Sequence, residues 1–523
     1  MKKGGREAVL AAAILAAGVG GWWIARSAIP PEDASPVAVK AATKPAVPYD
    51  PPAKESKPTK RPEGWNRDND AQQAGALQNQ RSLVFSSREA MERFLAAAQG
   101  KGIAILGSID KLNALHVGFL SLDQLTALLD GSEESGYIFP VTLPTPRTDG
   151  VQDGAIGFGN QLLSWLGITG DNSAYGTGVK VGILDTGSTL AGAKNVYLVD
   201  PPANAADWNG HGTAVADLIR QIAPASELLS WRVANDAGTS NSFLLAQGIL
   251  AAADSGVDII NISMGSYGNS TLLRQAVEYA QKAGIIIYAS TGNEGYDEVA
   301  YPAAYTGVVG VGAVDAAGNH LNFSNTGTVA MSAPGLDLVT AWTGDQSIYF
   351  TGTSASSPIG AGVLAATMSS GSTRISASKA YETVVDNLNE SGAPGDDEYY
   401  GEGTVDLGRI FRSGQGGITD AAIASNYIST GANGQPVLQV VVENRGTATL
   451  VNSPVEVTIN GSTTSYYITT LQAGDIKTFT VPLTVTNGGA TIVSGVGLSS
   501  SGTSDLKPSN NKRSDVYVPP TTN

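Results

Sequence analysis

The chain has no cysteine among its 523 residues. That absence excludes disulfides, thiol nucleophiles, thiolate zinc sites and iron–sulfur ligation. It does not exclude export, because a chain with a large core needs no disulfide staples. Histidine is nearly as scarce: His116, His211 and His320 are all there are, so a three-histidine metal centre would consume every one. Positive charge is short too, with 32 Lys and Arg against 47 Asp and Glu and a net charge of −15. Phosphate backbones demand a positive surface, so nucleic acid is excluded as a general partner. Charged residues make up only 15%, below the roughly 25% usual in soluble domains. What is present is core-forming. Hydrophobic residues reach 42% of the chain, and the length corresponds to roughly three domains. The 63 glycines announce many turns and close backbone approaches.

The first six residues, MKKGGR, carry three positive charges, and Ala8 to Ala25 is an uncharged run closed by Arg26. Such a run is just long enough to cross a bilayer. It reads as a secretory signal or as an uncleaved membrane anchor over 1–28, with Lys2, Lys3 and Arg6 inside. Trp22 and Trp23 suit the interfacial belt of an anchor. Either reading exports the remainder: secreted, periplasmic or membrane-anchored with the bulk outside the cytoplasm. Residues 29–79 begin with nine prolines between 30 and 62 among Lys, Glu and Ala, without apolar periodicity. They read as an extended, solvated tether.

Residues 80–146 alternate between strand and helix patterns. A strand over 82–87 precedes a helix over 88–102 with Met91, Phe94, Leu95 and Ala98 on one face. Two strands follow around a turn, then a helix over 121–131 and a last strand over 136–143. That is the split βαβ, ferredoxin-like order. His116 falls inside the third strand and reads as structural.

From 178 the apolar strands become continuous and alternate with helices. Strands are expected at 178–185, 227–233, 257–263, 285–290 and 307–314, and helices at 211–223, 242–256 and 270–284. Doubly buried strands between helices mean a parallel sheet covered on both faces, an α/β architecture. Ligands bind at the carboxyl ends of such strands. Polar residues gather there: Asp185 closes the first strand, His211 opens a helix, Asn293 follows the strand at 285–290, and Ser354 opens an apolar helix.

Those four fit acyl transfer. A serine hydroxyl needs an adjacent base, and His211 can take and return its proton. Asp185 can hold the imidazole tautomer. A helix amino terminus at Ser354 and the Asn293 amide are the donors a developing oxyanion requires.

The strings around these residues are "ILDTG" (183–187), "GHGTAVA" (210–216), "NISMGS" (261–266), "STGNEG" (290–295), "YPAA" (301–304), "APG" (333–335) and "GTSASSP" (352–358). In that order they resemble the subtilisin-like serine protease family over about 150–412. The resemblance implies a subtilisin-like peptidase domain at 147–412, with Asp185, His211 and Ser354 as triad and Asn293 as oxyanion amide. It implies protein or peptide substrates that pair as an added β-strand along Gly238, Thr239 and Ser240 and along Ser263, Met264 and Gly265. Ser290, Thr291 and Gly292 would form the other wall of the primary specificity pocket and Ala300 its floor. A small floor favours a large apolar side chain before the cleaved bond; Asp297 and Glu298 nearby would favour a basic one. The resemblance also makes 80–146 the enzyme's own propeptide, an inhibitor and folding aid, with the processing bond somewhere in 138–155. No cofactor is required for the chemistry. Structural calcium is common in the family, but no loop here has a ligand spacing that identifies a metal site. Ala214 and Ile359 replace histidines many members carry, and Ala355 replaces the methionine that usually follows the nucleophile.

After a "SGQGG" linker at 413–417, short alternating strands run to the end. They predict an antiparallel β-sandwich over 413–523. Its "VENRGTATL" and "LKPSNNKRSDVYV" strings resemble CARDB-type immunoglobulin-like modules. Two alternatives remain. A catalytically silent scaffold is opposed by the intact Asp185, His211, Asn293 and Ser354. A serine-carboxyl peptidase of the sedolisin kind is opposed by His211, where that class uses glutamate.

Overall fold

The computed structural model describes residues 47–48, 71, 74–144, 151–152, 154–431, 434–485, 489–499 and 504–518. The expected signal or anchor, nearly all of the tether and the segment 145–150 lie outside the described residues. Among the described residues no helix is long and apolar enough to cross a membrane.

The amino-terminal unit is a four-stranded antiparallel sheet. Its strands are β1 (Gln80–Phe85), β2 (Ile103–Ile109), β3 (Ala114–Phe119) and β4 (Glu133–Tyr137), ordered β2-β3-β1-β4. Helix α1 (Arg88–Ala98) starts at Ser87, whose hydroxyl accepts from the Ala90 amide at 3.2 Å, and it buries Ala90, Met91, Phe94 and Ala98. The second helix is only α2 (Leu122–Thr126), shorter than the pattern predicts. The expected last strand is in fact two. Glu133–Tyr137 stays in this sheet, while β5 (Pro140–Thr142) leaves it and pairs elsewhere. His116 is a strand residue: Nε2 lies 2.7 Å from Gln80 Oε1, and burial pushes its pKa down to about 4.

The central sheet holds seven parallel strands. These are β6 (Lys180–Asp185), β7 (Lys194–Tyr197), β8 (Glu227–Arg232), β10 (Ile259–Ile262), β11 (Ile286–Ser290), β12 (Val308–Val314) and β13 (Met331–Pro334), with β9 (Thr239–Asn241) outside the sheet. Their order is β13-β12-β11-β10-β6-β8-β7. All of β10 and β12 is buried, as expected for strands covered on both faces. Helices α3 (His211–Ile222) and α6 (Thr353–Met368) contribute to the core that also holds Val181, Ile183 and Val311. Helices α4 (Ser242–Asp254) and α5 (Thr271–Lys282) contribute to a second core with Leu184, Ile260 and Ile287. Asn241 caps α4 by accepting from Phe243 and Leu244, both at 3.0 Å.

The amino-terminal sheet docks on α4 and α5. The His116 and Phe243 rings lie 5.0 Å apart, and Lys111 reaches Asp254 and the Tyr279 hydroxyl.

The carboxy-terminal part is two antiparallel sheets of three and four strands around one apolar core. It includes a strand the alternation pattern missed, Ala421–Thr430. It is also tied to the central unit by buried charge. Glu443 takes Arg409 on one oxygen, and on the other Arg445 at 2.8 Å and the Glu390 amide at 3.0 Å.

Candidate active site

Asp185 is the last residue of β6 and is fully buried. Its two oxygens lie 2.9 and 3.0 Å from His211 Nδ1. A carboxylate only accepts, so Nδ1 donates to it, which leaves the lone pair of the neutral ring on Nε2. Nε2 is buried and has no hydrogen-bond partner among the described residues. The Phe350 ring stands edge-on to the imidazole at 5.2 Å.

Phe350 lies four residues before Ser354, and α3, which His211 opens, packs against α6, which carries Ser354 in its first turn. Gly352 precedes that turn at φ 132°, and a Cβ there would stand 2.7 Å from Asn293 Nδ2, so only glycine fits. Pro358 has no amide to give the Ser354 carbonyl one turn back; the Ser263 hydroxyl donates to it instead, at 3.0 Å. Ser263 is held by Asn261, whose Nδ2 donates to its Oγ at 3.0 Å and whose Oδ1 accepts from Ser357 at 2.7 Å. The Ser354 hydroxyl donates to the Ser263 carbonyl at 3.2 Å rather than to His211.

Asn293 is fully buried. Its Oδ1 accepts from the Thr353 amide and hydroxyl, both at 2.9 Å, which turns Nδ2 toward the cleft. There Nδ2 meets the carbonyl of Pro144 at 3.4 Å.

Pro144 arrives on an extended segment of the same chain. β5 pairs antiparallel with β9, matching Thr142 with Thr239, Val141 with Ser240 and Pro140 with Asn241. The Leu143 amide donates to the Gly238 carbonyl at 3.0 Å. On its other side, Thr142 and Gly265 exchange two backbone bonds of 3.0 Å. Further back, the Ser242 amide donates to the Phe139 carbonyl at 2.9 Å. Residues 139–144, extended around the strand Pro140–Thr142, thus lie between the two segments expected to receive a peptide.

Beside Pro144 lies a cavity of ≈ 500 Å³. Ser290, Gly292, Gly265 and Ala300 line it, as do Tyr267, Glu294 and Tyr296, which the motif reading did not include. Met264 and Thr291 are fully buried behind the walls: Met264 packs in the core, and the Thr291 carbonyl accepts from Ala300 at 2.9 Å. Asp297 and Glu298 are not among the lining residues. Glu294 Oε2 accepts from the Asn293 amide at 2.8 Å and from the Tyr267 hydroxyl. Burial and then the Glu294 charge push the Tyr267 phenol well above the ordinary tyrosine range, so it stays a donor. Among the described residues no group of three or more His, Asp or Glu is placed to hold a metal.

Residues 176–403 match the model of the subtilase family. The thermophilic serine proteinase of Bacillus sp. (strain AK1) is 35% identical over 234 residues, 41% of this chain and 58% of that protein. Subtilisin DY of Bacillus licheniformis is 33% identical over 251 residues, 44% of this chain and 90% of that protein. The thermostable alkaline protease of Halalkalibacterium halodurans is 36% identical over 207 residues, 57% of its length. The chain therefore spans little more than half of two of these relatives. Among solved structures, the epidermin leader peptide processing serine protease of Staphylococcus aureus aligns with a TM-score of 0.52, at 20% identity over 65% of this chain and 99% of that one. At that identity the likeness concerns the fold.

Proposed function

This chain belongs to the subtilase family, and on that premise we propose that it is an exported serine endopeptidase made as a zymogen, with Asp185, His211 and Ser354 as its triad. In the reaction, His211 Nε2 takes the proton of the Ser354 hydroxyl as Oγ bonds to the scissile carbonyl carbon. Asp185, bound to Nδ1–H, stabilises the imidazolium. The carbonyl oxygen becomes negative and is met by Asn293 Nδ2 and the first amides of α6. Collapse breaks the C–N bond, and His211 returns the proton to the leaving amine. Water then repeats the cycle on the acyl-enzyme. No step needs a cofactor.

One observation carries the reading: residues 139–144 occupy the cleft as an extended segment, paired through Pro140–Thr142, and deliver a carbonyl to Asn293. We read residues 80–144 as a propeptide docked in the manner of a product, and the bond after Pro144 as the processing bond. The mature chain then begins at Thr145. The carboxy-terminal sandwich is a docked companion of the catalytic unit.

The cavity supports a preference for a large apolar side chain before the cleaved bond. Its volume exceeds what a proline ring fills. Its walls include the Tyr267 and Tyr296 rings, 5.2 Å apart. Its carboxylate, Glu294, already accepts from Tyr267 and the Asn293 amide and is poorly placed to select a cation.

Labelling by a fluorophosphonate tests the enzyme reading. The full chain is expected to label at Ser354 after processing, and Ser354→Ala to remain unlabelled and uncut. Wild-type protein that processes normally yet never labels would overturn it.

A further inference from the structure

We propose that Asn325 is a positioning residue that holds the Asn293 amide aimed at the oxyanion; this rests on the catalytic reading above. Asn325 lies outside every recognised motif string, more than thirty residues beyond Asn293, and it is fully buried. Its side-chain amide spends its hydrogen-bonding capacity on the loop that carries Asn293. Oδ1 accepts from the Glu294 amide at 3.1 Å and the Tyr296 amide at 3.0 Å. Nδ2 donates to the Thr291 carbonyl at 3.1 Å and the Tyr267 hydroxyl at 2.6 Å. Its backbone amide adds a bond to the Gly292 carbonyl at 3.1 Å. The loop is therefore clamped on both sides of residue 293, at 291 and 292 before it and at 294 and 296 after it.

The same side chain joins the two walls of the cavity. Tyr267 belongs to the wall that begins at Ser263, and it passes the bond on to Glu294, which in turn accepts from the Asn293 amide. Gly292, at φ 111°, makes room for this: a Cβ there would stand 2.3 Å from Asn325 Nδ2 and 2.8 Å from Glu294 Oε2. The clamp needs that glycine as much as it needs the asparagine. A fully satisfied buried network of this kind fixes one geometry. Geometry matters here because an oxyanion donor acts only when preorganised, and a misplacement of about 1 Å can cost about a hundredfold in rate.

Asn325→Asp keeps the acceptor and removes both donors. Tyr267→Phe removes one hydroxyl and keeps the ring, so it probes the same clamp with little risk to folding. Both are to be made in the wild-type and the Asn293→Ala background, with active sites counted by fluorophosphonate titration. The expected result for Asn325→Asp is a fall in kcat of about 10- to 100-fold, with KM for a short peptide changed by less than about threefold. For Tyr267→Phe a smaller loss of kcat is expected. In Asn293→Ala both losses should shrink to about threefold or less, because the donor they position is gone. Equal losses in both backgrounds, or a loss confined to KM, would overturn the assignment. Should Asn325→Asp fail to fold, Tyr267→Phe decides alone by the same criterion. If Asn293→Ala by itself leaves kcat unaltered, the oxyanion reading has failed, an outcome distinct from the failure of the clamp.

Discussion

Gly268→Ala should weaken the hold of the pro-segment without damaging catalysis on short peptides. A Cβ on Gly268 would stand 1.9 Å from Phe139 Cδ1 and 2.2 Å from Cγ. Three ring atoms are within 2.4 Å, so a small rotation is no escape and the ring must leave its seat. Phe139 is now 3% exposed. Returning a buried phenylalanine to water costs about 1.5–3 kcal/mol, and each ~1.4 kcal/mol is tenfold in affinity. The inhibition constant of the released segment should therefore rise by roughly 10- to 150-fold. Gly268 does not have positive φ, so alanine strains nothing else in its backbone. Phe139 lies five residues before Pro144, so a four-residue substrate never reaches Gly268. The assay is inhibition of the mature enzyme by its own segment, read with such a tetrapeptide substrate. An unchanged inhibition constant would refute the docking of residues 139–144, and an equal loss of tetrapeptide hydrolysis would refute the separation of the two effects.

Asp185→Asn should lower kcat by about 10⁴ while the protein stays folded, since the imidazole loses the acceptor that fixes its tautomer; circular dichroism with steady-state kinetics checks both halves. Glu390, at the junction with the sandwich, has its carboxyl pushed up to about 7, first by burial and then by neighbouring carboxylates. The folded state therefore holds a proton that the unfolded state releases near the ordinary glutamate value, so this contribution to stability is present below about pH 4.5 and is lost as pH rises toward 7. Between about pH 4.5 and 7 the melting temperature of the wild type should therefore fall relative to that of Glu390→Gln, and a difference between the two that does not change with pH contradicts the assignment. Ala355 stands where relatives commonly carry an oxidisable methionine, and Met264 is fully buried. Activity should therefore survive a peroxide dose that inactivates a methionine-bearing subtilisin, and equal sensitivity would count against it.

The parts of this molecule legible in the sequence are those where chemistry or periodicity restricts the residue locally. Asp185, His211, Asn293 and Ser354 stand out as candidates because each sits at a strand end or helix start, or just past a strand, in a glycine-rich string. The parallel sheet was visible because strands buried on both faces read as unbroken apolar runs. What was not legible depends on partners distant in the chain. The single strand expected over 136–143 does not reveal that Pro140–Thr142 joins Thr239–Asn241 rather than its own sheet. Ala421–Thr430 escaped because small residues blur the alternation. Asn325 and Tyr267 lie in ordinary-looking loops, and only tertiary closure brings them around Asn293. Glycine at 292 was the one local signal, a position whose missing side chain leaves room for the Asn325 amide.

The most direct measurement is intact-mass and amino-terminal analysis of the protein after folding, beside Ser354→Ala. The account predicts that wild-type protein separates into a segment ending at Pro144 and an active enzyme beginning at Thr145, whereas Ser354→Ala remains whole. Cleavage of Ser354→Ala at the same bond, with no protease added, would contradict it.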